Sequence, residues 1–376
     1  MGASFPYRDN LAPDFAWNEF TGAVGDSVTV LPIVVALTVL TDLSLTFVLL
    51  WFGIFQVVWG LYYAAPMSVE PMKALAALVL AGTVSVAEAL VAGLFLGVVL
   101  LGIGRTNSLG RVSRYIGSPV VRGIQFGVAL VLLDTGLSLG LSNLPLAGVA
   151  AVIALAAIAL GRVNLSALAV LAVGGGIGVF HTGVPTPTLP SLDGLFLLSS
   201  SGLAMPAFEA ASAQIAMTVG NAALATSVLM TDYFDRDISA DELASSMGVM
   251  NLAAVPFGAF PMCHGSGGVA GKYAFGARTA AANVILGVGY LLAALVAIEL
   301  VAAFPVAMLG VVLAIIALQL ARTSLRATEE YVLVVGIGVL GVAVNLAVAF
   351  VVGIVVWLVW ERLGAGRSLV RFSWLG

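Results

Sequence analysis

The sequence predicts an all-α polytopic membrane protein of about 14 transmembrane segments, built as a 7+7 inverted repeat with two short half-helices that each follow an extended segment. Composition is the first observation: 61% of the 376 residues are hydrophobic and 9% are charged, with a mean hydropathy of +1.12, a balance foreign to soluble globular domains. Internal duplication is the second. Pro66-Met67 in PMSVEPMK is answered by Pro261-Met262 in PMCHGSGG, 195 positions later. The same offset lands Val24-Gly25-Asp26 on Val219-Gly220-Asn221, Asp42-Leu43-Ser44 on Asp237-Ile238-Ser239, and Gly53 on Gly248. The third is the alternation of basic and base-free loops, since Lys and Arg collect on the cytoplasmic side.

A bilayer core takes about 20 apolar residues per helix. Apolar segments fall near 17–40, 43–63, 67–81, 84–103, 117–137, 145–160, 165–181, 207–231, 240–260, 264–276, 279–303, 305–321, 331–345 and 347–361. Two are short, and these are the ones that follow the Pro-Met motifs, where Pro and Gly keep a few residues out of the helix. Interrupted segments at matching places in two halves point to a transporter binding site, and non-helical backbone at that depth must be enclosed by protein or line a cavity. With the N-terminus inside, the cytoplasmic loops hold Arg105, Arg111, Arg114, Arg162, Arg236, Arg278, Arg322, Arg326, Arg362, Arg367 and Arg371, while the outer loops near 138–145, 182–206 and 345–347 hold no Lys or Arg. This predicts an even number of spans and cytoplasmic termini. Seven spans per half then turn the second repeat upside down.

Other bulk features exclude more than they identify. The first sixteen residues lack the apolar core of a cleavable signal peptide. Cys263 is the single cysteine, which leaves no internal disulfide and no cysteine-based metal cluster; no cofactor is expected. A net charge of −4 argues against a nucleic-acid partner. The two histidines, His181 and His264, form no HExxH pattern, and no GxSxG elbow occurs, so an enzyme is not expected.

Polar residues inside spans are costly and are functional candidates by default. Glu19 and Asp26 lie seven residues apart on one face of the first span, and Gln214 and Asn221 occupy the offset positions. Glu19 has an alternative reading as an interfacial residue. In PMSVEPMK, Glu70 and Lys73 flank Pro71 and Met72 at a helix start, where free N–H groups and the macrodipole favour an anion. The alternative is an i,i+3 ion pair that only neutralises buried charge. In the second motif, Cys263, His264, Gly265, Ser266, Gly267 and Gly268 precede the other short helix, and bare backbone there can approach a ligand closely. It is not a P-loop: Gly271-Lys272 would need Gly at position 266 and Ser or Thr at 273, where the chain has Ser266 and Tyr273. Two opposed half-helix N-termini would hold a small anion from both sides. The candidate substrate-binding set is therefore Asp26, Glu70, Met72, Lys73, Asn221, Cys263, His264, Gly265, Ser266, Gly267 and Gly268, with Asp26 and Glu70 as candidates for proton coupling.

PMSVEPMKA and PMCHGSGGVAGKYAFGART, with GAVGD in the first span, resemble the signature segments of the molybdate transporter family, a branch related to the SulP sulfate permeases. The resemblance covers almost the whole chain. It implies a fold like that of SulP and uracil permeases, with a core domain at 17–103 and 207–303 and a gate domain at 104–181 and 304–362. Flanking these are a cytoplasmic segment 1–16, a connecting loop 182–206 and a tail 363–376. It also implies a tetrahedral oxyanion, molybdate or sulfate, carried across the plasma membrane by alternating access. Related folds are often dimeric, so a homodimer is an expectation. The family more often has Gln where this chain has Glu70, which puts a second acid near a dianion. SulP proteins usually carry a C-terminal STAS domain; its absence here agrees with the molybdate branch. A sulfate transporter, an anion channel of the same fold and a proton-coupled nucleobase carrier remain as alternatives.

Overall fold

The computed structural model describes residues 13–183, 200–296 and 303–362. The tail 363–376 and most of the 1–16 segment and the 182–206 connection lie outside the described residues. Among the described residues, fifteen helices longer than a single 3-10 turn run in order: α1 Trp17–Leu40, α2 Leu45–Tyr63, α3 Lys73–Leu80, α4 Val86–Arg105, α5 Leu109–Ile116, α6 Ser118–Leu141, α7 Leu144–Ala159, α8 Ser166–Thr182, α9 Met205–Phe234, α10 Ala240–Ala254, α11 Ser266–Ala274, α12 Ala281–Val296, α13 Val306–Arg326, α14 Tyr331–Ala343 and α15 Leu346–Arg362. Fourteen of them match the fourteen apolar segments. The exception is α5, an eight-residue helix between the fourth and fifth segments, where only connecting chain was expected. Its Leu109 and Ile116 are buried while Arg111 and Arg114 stay exposed, so it is too short and too polar on one face to read as a span.

The residues that revealed the repeat mark its joints. Asp42-Leu43-Ser44 and Asp237-Ile238-Ser239 lead into α2 and α10, whose first residues are 195 apart, with Ser44 and Ser239 at the N-caps; Ser239 accepts from the Glu242 N–H. Gly53 and Gly248 are the close-crossing points. A Cβ on Gly53 would lie 2.8 Å from the Gly287 carbonyl oxygen of α12, and one on Gly248 2.8 Å from that of Gly97 in α4. The pairings are thus reciprocal: α2 packs on α12 as α10 packs on α4. Likewise α6 carries α14 and α15 as α13 carries α7 and α8, and α6 and α13 pack on each other. Each pairing and its mate follow from one twofold operation relating two seven-span halves of opposite sense.

At the centre of this symmetry the chain leaves helix twice. β1 (Glu70–Pro71) and β2 (Met262–Cys263) pair antiparallel, with Glu70 opposite Cys263 and Pro71 opposite Met262. Because each strand feeds a half-helix, α3 and α11 leave the pair in opposite directions with their N-termini at its ends. The extended backbone is buried and satisfied by protein. Met72 N–H donates to the Pro261 carbonyl at 2.9 Å. The Asn251 carboxamide takes both backbone groups of Met262, at 2.7 and 2.8 Å.

One side chain ties these parts together. Lys272 of α11 is fully buried and donates to Gln56 Oε1 of α2 at 2.9 Å, the Met67 carbonyl at 2.6 Å and Asn283 Oδ1 of α12 at 2.8 Å, with Asp26 Oδ2 of α1 at 3.2 Å. Gln56 completes the ring, donating to Asp26 Oδ2 at 2.6 Å. Asn283 donates in turn to the Met67 carbonyl at 2.7 Å. The ammonium has all its donors used and its charge neutralised, which is the condition for burying it at all. Replacing Lys272 with Met should therefore strand the Asp26 carboxylate and destabilise the protein by about 3–5 kcal/mol, read as a fall in the thermal midpoint of the detergent-purified protein. The Asp26→Asn/Lys272→Met double variant should recover part of that loss, and a single variant as stable as the parent would contradict the tie.

Candidate functional site

The site grows out of the two half-helix starts. Each first turn exposes N–H groups that the helix cannot satisfy, and the structure shows which of them the protein has taken. In α3, Gln214 of α9 reaches across and its Oε1 accepts from Ala74 N–H at 2.9 Å and Leu75 N–H at 3.4 Å. With Met72 N–H on Pro261, the backbone of this end is largely capped. Its remaining asset is Lys73, whose ammonium lies 2.5 Å from Glu70 Oε2, with the lysine side chain 12% exposed.

At α11 the distribution differs. Glu70 Oε1 accepts from Gly268 N–H at 2.8 Å and from Thr29 Oγ at 3.3 Å. A Cβ on Gly265 would collide with the Glu70 carboxyl group, and one on Gly268 with Ser68 Oγ, Asp26 Oδ1 and Glu70 Oε1, so the first glycine leaves room for the Glu70 carboxylate and the second for both carboxylates. Gly267 is exposed, and a Cβ there would meet only Lys73 Nζ, at 4.0 Å. The N–H groups of Ser266 and Gly267 take no acceptor among the described residues. Ser266 Oγ donates to Asn221 Oδ1 at 2.6 Å. Asn221 stands on a π-helical stretch of α9, Thr218–Ala225, a local widening of the kind that often re-aims side chains at functional places.

The eleven candidates therefore divide. Lys73, Asn221, Ser266 and Gly267 come together around one partly open space. Asp26, Glu70, Met72, Cys263, His264, Gly265 and Gly268 are buried behind it. Asp26 is held by Ser68 Oγ at 2.6 Å as well as by Gln56 and Lys272. His264 turns inward: Nε2 pairs with Ser246 Oγ at 2.8 Å and Nδ1 with the Ser68 carbonyl at 2.9 Å, which leaves no ring nitrogen for a ligand. Met72 offers neither a free N–H nor an exposed side chain. Glu70 and Lys73 do form the i,i+3 ion pair, and that pair sits beside the open space. Glu19 lies apart, capping the start of α12 through the N–H groups of Arg278 and Thr279 at 2.9 and 3.1 Å.

Sequence reasoning passed over Lys272, Gln56 and Asn283. Lys272 carried a signal: the chain has two lysines, Lys73 and Lys272, and each falls in one of the two short segments. An intramembrane lysine is a site candidate on that ground alone. Gln56 and Asn283 carried none, because single amides in apolar helices become informative only when their partners are known.

A family model described as "Molybdate transporter of MFS superfamily" matches residues 18–132 and 206–320, one stretch in each half. Molybdate transporter 2 of Arabidopsis thaliana is 28% identical over 91% of this chain and 86% of its own length. Molybdate transporter 1 of the same plant is 28% identical over 96% and 91%, and molybdate transporter 1 of Chlamydomonas reinhardtii is 25% identical over 90% of each. Among solved structures, the transmembrane domain of the cyanobacterial bicarbonate transporter BicA superposes with a TM-score of 0.66 at 18% identity, covering 90% of this chain and 98% of that one. SLC26A9 gives 0.66 at 14% identity, covering 92% and 65%. These two show the fold. Despite the superfamily named in the family's description, the halves here are inverted and meet at broken helices, whereas the two halves of the major facilitator fold are parallel repeats. By the family match across both halves, the chain belongs to the molybdate transporter family.

Proposed function

We propose that the protein imports a tetrahedral oxyanion, molybdate in preference to sulfate, by alternating access. The observation that carries this reading is the pairing of the Lys73 ammonium with the open first turn of α11, where Ser266 and Gly267 present free N–H groups to the same space. A cation, unused backbone donors and the positive end of a helix dipole on one small space suit a compact anion with several equivalent oxygens. The curated relatives, each named as a molybdate transporter, favour molybdate among such ions.

The moving parts in this reading are a core of 17–103 and 207–303, which holds both half-helices and the Lys272 tie, and a gate of 104–181 and 304–362. The reciprocal packing supports the division, because α6 and α13 pair with each other and carry the other gate helices. Motion of core against gate would open the site to each side in turn, about the connections near 104–116 and 304–305. Arg105, Arg111, Arg114, Arg162, Arg236 and Arg278 favour cytoplasmic termini, and in this reading the protein sits in the plasma membrane.

Three outcomes test this. Gly267→Val should leave the protein folded, because its Cβ meets open space, and should abolish labelled molybdate uptake into vesicles by filling that space; uptake like the parent's would sink the site. In the parent, unlabelled molybdate should displace the label at lower concentration than sulfate. A reversed order would assign the protein to sulfate. Cross-links that fix core to gate should stop transport, and unaffected uptake would refute alternating access.

A further inference from the structure

The Glu70 carboxylate occupies the place where an arriving anion would gain most. It lies against the Lys73 ammonium through Oε2 and on the Gly268 N–H of α11 through Oε1, in a recess kept open by the missing side chains of Gly265 and Gly268. Lys73 stands between this carboxylate and the exposed Gly267. One ammonium therefore faces a built-in anion on one side and the open space on the other.

We propose that Glu70 is a resident anion, a carboxylate that holds the Lys73 charge in the empty transporter, is displaced from it by the incoming oxyanion, and takes up a proton as it is displaced. This rests on the oxyanion reading above. The charges that face Glu70 are Lys73 at the start of α3, Asp26 on α1 and Lys272 on α11, with the Cys263 thiol on β2, the His264 ring and the Tyr290 phenol of α12 as the other titratable groups. With the thiol, imidazole and phenol neutral, two carboxylates and two ammoniums sum to zero. A dianion brings this enclosed cluster to −2, and one proton on Glu70 returns it to −1. Uncompensated charge in a desolvated place is costly, so binding and proton uptake favour each other. Asp26 cannot serve instead. Both carboxylates are buried, but Asp26 is paired with the enclosed Lys272 and held by Gln56 and Ser68, whereas Glu70 is paired with the partly exposed Lys73. Glu70 alone among the described acids touches the cation at the open space.

The proposal reverses the sign expected of an ordinary binding residue. Glu70→Gln keeps an oxygen for the Gly268 N–H and removes the competing charge. Molybdate, used as the probe with purified protein, should therefore bind the variant roughly tenfold or more tighter above neutral pH, the scale of one charge-assisted contact freed from competition. Calorimetry in two buffers of different ionisation enthalpy should show the parent taking up about one proton per molybdate and the variant none. The parent's affinity should fall as pH rises, and the variant's should stay flat. Glu70→Ala, which empties the recess, supplies the same readouts if the glutamine variant is unstable. Binding to the variants that is unchanged or weaker, or proton uptake that persists, overturns the resident-anion role. Gly267→Val separates the two failures: if it loses molybdate while Glu70→Gln binds no better, only the role of Glu70 falls, and if it binds like the parent the oxyanion site falls with it.

Discussion

The rest of the structure depends on burying one ammonium group. Lys272 has no exposed surface, and a charge so placed persists only where a counter-charge and enough acceptors surround it. Here those partners come from four other segments: Asp26 from α1, Gln56 from α2, the Met67 carbonyl from the first extended stretch and Asn283 from α12. Such a pair need not add net stability over an apolar replacement, since desolvation offsets the attraction. Its consequence is geometric, because any other register of these five segments would leave a charge unpaired. The second half-helix is in this way fastened to the first repeat, and the broken helices keep one relative position while their ends stay available.

The two half-helix ends then take different tasks. At α3 the backbone donors are satisfied by Gln214 and Pro261, and what faces the open space is the Lys73 side chain. The first turn of α11 carries no cationic side chain of its own, and what it turns to the space is backbone, with Glu70 seated on the Gly268 N–H behind it. A symmetric pair of bare helix ends would bind an anion by dipoles alone. In the proposed site, side-chain charge on one end and open backbone on the other give one strong cation and directional donors, with the Glu70 carboxylate next to the cation. The twofold repeat brings the two half-helix ends together, and departures from it supply the chemistry of the proposed site.

Much of this was readable from the chain. Fourteen apolar segments and one offset located the spanning helices among the described residues, and the four matched groups lie at helix caps, helix crossings and the two broken helices. The ion pair of Glu70 and Lys73 was among the readings of that motif. Less legible were the directions of side chains. His264 and Gly268 looked like ligand contacts because they lie in a Gly-rich stretch, yet the first bonds Ser246 and Ser68 and the second accommodates Glu70. The α5 helix was missed because its eight residues alternate charge and apolar character too briefly to register beside long spans.

What the sequence by itself determined is the architecture: hydropathy dictates how many times the chain crosses, and an odd number of spans per repeat dictates inversion. It also marked the two places where helix must break, since Pro and Gly act through local backbone geometry alone. What only the tertiary structure decided is which of the polar groups at those breaks are free and which are already engaged. That depends on partners remote in sequence, Asp26 with Lys272 and Glu70 with Gly268, and a residue's availability to a ligand is set by what else has reached it first.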